Sequence, residues 1–329
     1  MRILHLADIH IGKIHKETVD DFIAKTQNQK FDVAVLAGDL FHSSLLFEDD
    51  GSHQAVNFVS FLTTIASQII IIKGTPSHDC ENLESLYNFL NDLDKGHRVA
   101  LALGSTEVGD FCCIPEPTLQ TITETTKLLA STKCKFCLFH GNIESAKYPS
   151  GIEVDATSEC CIKKSMFKKF YTVFGGHIHK QQKIAGLKAY YAGSLGRWQF
   201  GEEDPKGFYI HEGSPSDMKA TFVEVHSPEY KTHYINVEDL EAFVTAHPTP
   251  TPVKVVITQP LKKTMTIPKH IKVEARVSSE SVTENETLIK LSQSDSSMKE
   301  KAKIYIQEKL KIVITPTLAA ALDQVMPGE

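Results

Sequence analysis

The chain has 329 residues, 41% of them apolar and 23% charged, with a net charge of −6. That is an ordinary globular composition for one large domain plus a smaller one. No apolar run approaches the roughly 20 residues that cross a bilayer, and Asp8 interrupts the apolar start before a signal-peptide core could form, so no membrane association and a cytoplasmic, intracellular location are expected.

From the N-terminus, apolar runs of strand length alternate with helix-like segments. RILHLA (2–7), DVAVLA (32–37) and IIIIK (69–73) read as buried strands. Between and after them, residues 17–29, 53–67 and 82–93 carry apolar residues at helical spacing. This β-α-β-α rhythm predicts an α/β sheet with helices on its faces. From residue 135 the character changes. KFCLFHG (135–141), YTVFGGHIH (171–179), KAYYAGS (188–194), GFYIHEG (207–213) and ATFVEVHS (220–227) are strands with little room for helices, which predicts a second, largely antiparallel or mixed sheet. The Pro-rich HPTPTPV (247–253) reads as a linker or edge segment. After it come two strands (253–258 and 271–277) and a helix from about 296 to 311, capped by Ser296 or Ser297. The expected domains are 1–240 and a small α/β appendage, 241–329.

Seven cysteines, an odd number without metal-finger spacing, argue for reduced thiols packed in or beside strands. Residues 241–329 hold 12 Lys and Arg against 10 Asp and Glu, the remainder 23 against 31. A site holding two divalent cations would offset about four negative charges, so the net charge does not exclude a nucleic-acid substrate.

Five motifs sit where strands end: LADIHIG (6–12), LAGDLFH (36–42), KGTPSHD (73–79), FHGN (139–142) and FGGHIHK (174–180). Carboxyl ends of strands form the ligand crevice of an α/β sheet, so all five can reach one edge. Asp8 and His10, two apart, can both turn toward one metal, and His177 and His179 repeat that spacing. Asp39 offers a carboxylate able to bridge two cations, and His140 a further imidazole. Mixed imidazole and carboxylate donors suit Mn²⁺, Fe²⁺ or Zn²⁺. Each motif alone is a chance event; their order and joint occurrence point to a dinuclear phosphoesterase.

This ordered set resembles the calcineurin-like metallophosphoesterase superfamily, with its DxH, GD, GNHD, strand-end histidine and GHxH. Within it the sequence looks like the SbcD-type DNA double-strand-break nucleases, through GDLFH (38–42), GGHIHKQQ (175–182), YYAGSLGRWQFGEEDPKGFYIHE (190–212) and VEVHSPEYKTHYINV (223–237). The resemblance implies a four-layer α/β/β/α sandwich with a small C-terminal capping domain that binds DNA or a partner. It implies Asp8, His10 and His179 on a first metal, His140 and His177 on a second, and Asp39 between them. It also implies that His78 protonates the leaving oxygen or stabilises the pentavalent phosphorus, and that His42 positions the phosphodiester. Two divalent ions, foremost Mn²⁺ with Mg²⁺, Fe²⁺ or Zn²⁺ as alternatives, a DNA substrate, a homodimer and an SbcC-type ATPase subunit follow from the same likeness.

One departure stands out. In Gly74-Thr75-Pro76-Ser77-His78-Asp79, Ser77 takes the place expected for asparagine. Either Ser77 ligates the second metal, or it only caps the following helix. Arg197 and Trp198 could pair with phosphate and stack on a base, or Trp198 could pack under a loop. Lys180 could approach phosphate or stay solvated. Lys262, Lys263, Lys269 and Lys272 could grip a duplex, and a tail with Leu318, Leu322 and Val325 could dock an ATPase or pack on its own domain. The alternatives to a nuclease are a phosphomonoesterase or phosphoprotein phosphatase using the same site, and a weakly active scaffold.

Overall fold

The computed structural model describes residues 1–46, 49–92, 98–248, 253–257, 267–268 and 270–275. The expected helix at 296–311, the tail after it, and Lys262, Lys263 and Lys269 lie outside the described residues.

The first sheet grows from the β-α-β rhythm. Strands β1 (Arg2–Leu6), β2 (Phe31–Ala37) and β3 (Ala66–Ile72) are joined by helices α1 (Lys16–Thr26) and α2 (Asp50–Ile65). A single turn, α3 (Pro76–Asp79), and helix α4 (Asn82–Asp92) lead to β4 (Val99–Ala102). The four strands pair in parallel, with Leu4 opposite Ala34, Ala34 opposite Ile69 and Ile70 opposite Ala100. Their near-continuous apolar sequence follows from burial on both faces. Leu4, Leu6, Leu36, Ile69 and Ile71 pack with Phe22, Phe58, Leu62 and Leu90 of the helices. Ile3, Val33, Val35, Ile70 and Ile72 point the other way, onto Phe136, Leu138 and Phe174 of the second sheet.

The second sheet contains β5 (Thr106–Val108), β6 (Phe111–Ile114), β7 (Phe136–His140), β8 (Thr172–Gly176), β9 (Gln182–Lys183) and β10 (Ala189–Tyr191), with helix α5 (Ile122–Ser131) between β6 and β7. Its order is β5-β6-β7-β8-β10-β9, with β6, β7, β8 and β10 parallel and the outer pairs antiparallel. Outside it, Leu129 of α5 packs with Ile143, Val154, Ile162 and Phe167 from the segment that follows β7. Helices, sheet, sheet, and a helix-and-loop layer make the four layers that the resemblance implied.

Two strands depart from the sequence reading. β11 (Gly207–Ser214) and β12 (Asp217–Glu224) join the first sheet, in the order β12-β11-β1-β2-β3-β4, rather than extending the second. Without β11, strand β1 would present a bare row of backbone donors and acceptors. β11 pairs antiparallel along it, Arg2 opposite Glu212 and His5 opposite Tyr209. Its alternation then sends Phe208 and Ile210 to the helix side and Tyr209 to the inter-sheet core. Cys112, Cys113 and Cys137 are buried free thiols in β6 and β7.

The chain divides into two compact units, the first built on Met1–His233 and the second beginning at Tyr234. The elements β13 (Lys231–Ile235), α6 (Leu240–Ala246), β14 (Val253–Ile257) and β15 (Ile271–Ala275) follow, with the three strands in the sheet order β13-β14-β15. Among the described residues, no helix is long and apolar enough to cross a membrane.

Candidate metal centre

Six parallel strands aim their carboxyl ends at one place. β1 delivers Asp8 and His10, β2 delivers Asp39, β3 leads to Thr75 and His78, β7 ends on His140, and β8 is followed by His177 and His179. The sixth, β6, is followed by Glu116. The loops are cross-tied: the N–H groups of Ile9 and His10 donate to Asp39 O, at 2.9 and 3.1 Å, and the His177 N–H donates to both Asp8 carboxylate oxygens at 3.0 Å.

The backbone is strained where the donors sit. Asp8, His10, Asp39 and His177 all have left-handed φ, of 48°, 53°, 49° and 96°. Such conformations cost about 1–3 kcal/mol each in non-glycine residues and concentrate at functional sites. Gly38, at φ 81°, permits a close approach: a Cβ there would lie 2.2 Å from His140 Nδ1.

Among the described residues, four triads have ligand atoms within 4.8 Å of one another: Asp8, His10 and His179; Asp8, Asp39 and His140; Glu116, His140 and His177; and His10, His42 and His78. The neighbouring histidines of GHIH therefore part company, His179 to one half of the site and His177 to the other. His10 Nε2 and His179 Nε2 lie 3.2 Å apart. His179 Nδ1 is 2.6 Å from Glu202 Oε1, and His140 Nδ1 donates to Ala37 O at 2.7 Å. Each contact occupies Nδ1 and leaves Nε2 facing the site, the arrangement that orients metal-binding imidazoles. His140 Nε2 then lies 3.5 Å from Asp39 Oδ1.

The electrostatics are those of a cation pocket. Burial lifts the Asp8 carboxyl to about 6, opposed by His140 and His179. For Asp39, burial raises but the adjacent His140 prevails and holds the carboxyl below the usual range. Burial would lower His140, yet Asp39 and Asp8 push it up to about 10. Positive charge is thus favoured beside the two carboxylates. His177 falls to about 3 through burial and the proximity of His140, which leaves it a neutral donor. Among the described residues, seven buried polar atoms lack a hydrogen-bond partner, and four of them are here: His10 Nδ1, His42 Nδ1, Glu116 Oε2 and Trp198 Nε1. Buried polar groups seldom go unpaired without a functional reason. The donor set and its unpaired atoms fit two divalent cations.

Several sequence expectations change. Ser77 is exposed on the α3 turn, inside that turn rather than at its N-cap, which is Thr75. Thr75 is the hydroxyl residue at the site: its N–H donates to Asp39 Oδ1 at 2.6 Å, and its Oγ1 lies 3.3 Å from Asp39 Oδ2 and 3.5 Å from His140 Nε2. Pro76 starts the helical turn, so Thr75 stays with the strand end while Ser77 swings outward. The Arg197 guanidinium is engaged within the protein, donating to the carbonyls of Glu202, Ser227 and Asp204. Lys180 pairs with Asp204 at 3.1 Å. Trp198 does reach the centre, its ring 4.8–5.4 Å from those of His10, His42 and His179. His78 Nδ1 is hydrogen-bonded to His42 O.

The sequence reading missed four supporting residues. Asp79 is fully buried and accepts the N–H groups of Phe41 and Gly74, tying two site loops together; burial lifts its carboxyl to about 6. Glu202 holds His179. The buried Lys206 donates to His179 O and Ser194 Oγ, at 3.1 and 2.8 Å. Glu116 lies beside His177, 3.8 Å from its Nδ1. Glu202 and Lys206 were within the quoted FGEEDPKGF, but only the fold reveals their partners.

A family model described as Calcineurin-like phosphoesterase matches residues 1–257. The chain belongs to the calcineurin-like phosphoesterase family. This is a family of metal-dependent hydrolases that generally bind two divalent ions, and the converging donors lie within the matched residues. No curated protein matches the chain in sequence. Among solved structures, a single mutant of Vps29 from Entamoeba histolytica is similar at 10% identity and a TM-score of 0.32, over 69% of this chain and 100% of that one. A double mutant of the same protein gives 11%, 0.31, 69% and 100%. A further crystal structure gives 11% identity and a TM-score of 0.42 over 68% and 99%.

Proposed function

We propose that this calcineurin-like phosphoesterase is a DNA nuclease, hydrolysing phosphodiester bonds by exonuclease or endonuclease action in end processing, recombination or repair. The observation that carries the phosphoesterase chemistry is the convergence of Asp8, His10, Asp39, His140, His177 and His179 at the carboxyl ends of strands from both sheets. The DNA assignment is supported by the SbcD-like stretch 190–212, whose Trp198, Glu202 and Lys206 surround His179. A homodimer and an SbcC-type ATPase partner belong to the same reading.

Asp8, His10 and His179 would hold one cation and His140 and His177 the other, with Asp39 shared. Mn²⁺ is the ion the SbcD resemblance puts first, and the mixed imidazole and carboxylate donors suit Fe²⁺ or Zn²⁺ as well. When bound, such a pair supplies Lewis-acid stabilisation of charge at phosphorus and a nucleophile at neutral pH. The chain provides the rest. His78 donates its Nδ1 proton to the His42 carbonyl, which fixes the ring and leaves Nε2 to deliver a proton to the leaving oxygen. His42 stands beside it, 5.5 Å between ring centroids, and can orient the phosphodiester. Trp198 covers His10 and His179 and keeps water from that side.

The test is digestion of end-labelled duplex DNA with Mn²⁺, beside a phosphomonoester substrate and the Asp39→Ala variant. Mn²⁺-dependent DNA cleavage that Asp39→Ala abolishes supports the assignment. Hydrolysis of the monoester alone would shift it to a phosphatase, and cleavage surviving Asp39→Ala would remove the mechanism.

A further inference from the structure

Glu116 enters the centre from β6, a strand that the motif pattern does not include. It sits in Ile114-Pro115-Glu116-Pro117. Pro115 fixes its own φ, and Pro117 biases Glu116 toward extended backbone, so the segment holds its shape without a helix or ladder. From there Glu116 reaches His140 and His177, the three donor atoms lying within 4.8 Å of one another. It has no other evident employment. Its Oε1 is 3.8 Å from His177 Nδ1, beyond hydrogen-bonding range, and its Oε2 is buried with no partner. A carboxylate oxygen so placed is costly unless something satisfies it.

The same half of the site is short of donors. Apart from the shared Asp39, it offers two imidazoles and the neutral hydroxyl of Thr75. We propose that Glu116 is a ligand of the second cation, completing a His140–His177–Glu116 set for a divalent transition metal such as Mn²⁺. A third protein donor brings this half level with Asp8, His10 and His179, and its charge adds to the attraction for a dication. The inference rests on the two-cation reading of the site.

Calorimetric titration of the full chain with Mn²⁺, together with electron paramagnetic resonance of the bound ions, separates the possibilities. Wild type is expected to take up two ions and show a spin-coupled pair. Glu116→Gln and Glu116→Ala should bind the first ion unchanged and the second at least about tenfold more weakly, with loss of the coupled signal at stoichiometric metal. Melting in EDTA should be the same for wild type and both variants. Two ions bound with wild-type affinity by both variants would overturn the ligand role. So would a lowered apo melting temperature with metal affinities intact, which would make Glu116 a structural partner of His177. If wild type binds fewer than two ions, the two-cation reading itself fails and the Glu116 role goes with it.

Discussion

The two halves of the centre use the same kinds of donor but are held differently. On the Asp8–His10–His179 side the scaffold is nearly complete: the His177 N–H fixes the Asp8 carboxylate, Glu202 fixes His179, Lys206 secures the His179 carbonyl, and Trp198 covers the rings. On the other side His140 is anchored through Ala37 O, but Glu116 Oε2 has no partner and Thr75 presents only a hydroxyl. On the first half the carboxylate and His179 are oriented by the protein and one imidazole nitrogen, His10 Nδ1, has no partner; on the second it is a carboxylate oxygen that has none. The first should therefore be sensitive to its supporting residues, the second to its donors.

The largest effect is expected at neither half. His78→Ala should lower kcat about 10²–10⁴-fold, the usual worth of a positioned proton donor, while calorimetry finds both metal sites unchanged. Equal losses of kcat and metal affinity would instead make His78 a ligand. Next, Glu202→Ala should weaken the first ion about 10–100-fold, as loss of a histidine's carboxylate partner does. It should spare the second ion, and weakening of both equally would erase the distinction between the halves. Arg197→Ala should cost about 2–3 kcal/mol of stability, since three carbonyls lose a charged donor. The salt dependence of DNA binding should not change, and a shallower salt slope would restore Arg197 as a phosphate contact.

A fourth expectation concerns pH and lies away from the centre. His5 and His211, buried between the sheets with Nδ1 and Nε2 3.4 Å apart, are both held neutral by burial, His211 down to about 3. The unfolded chain protonates these rings below its ordinary pKa, about 6.5, and the folded chain does not. Stability is therefore full above that value and falls as pH drops below it, by roughly 1 kcal/mol per unit for each ring that stays neutral in the fold. Urea unfolding at pH 7, 6, 5 and 4 should show that decline, and His211→Leu should flatten it; an unaltered slope would mean other groups carry the acid sensitivity. The smallest effect is at Ser77. Ser77→Ala should leave the Mn²⁺ requirement unchanged, and a raised requirement would return it to the ligand set in place of Thr75.

The strands with long apolar runs, β1 to β3, β7 and β8, were legible because burial on both faces writes itself into the sequence. β4, β5 and β6 were not, because three- or four-residue strands carry too little periodicity to separate from loops. The site followed the same division. Donors two apart after a strand, as in DIH and HIH, announce themselves; a lone glutamate between two prolines does not. Counting back from His78 leads to Ser77, whereas the helical turn that begins at Pro76 leaves Thr75, next to Gly74, against Asp39. β11 could not be assigned to its sheet from sequence, since alternation says which residues face inward and not which strand lies alongside.

The central claim is a two-cation centre split across Asp39. Anomalous diffraction at the manganese edge from crystals grown with Mn²⁺ tests it most directly. Two peaks are expected, one among Asp8, His10 and His179, the other among His140, His177 and Glu116, with Asp39 beside both. A single peak, or two that leave Asp39 uncoordinated, would contradict it.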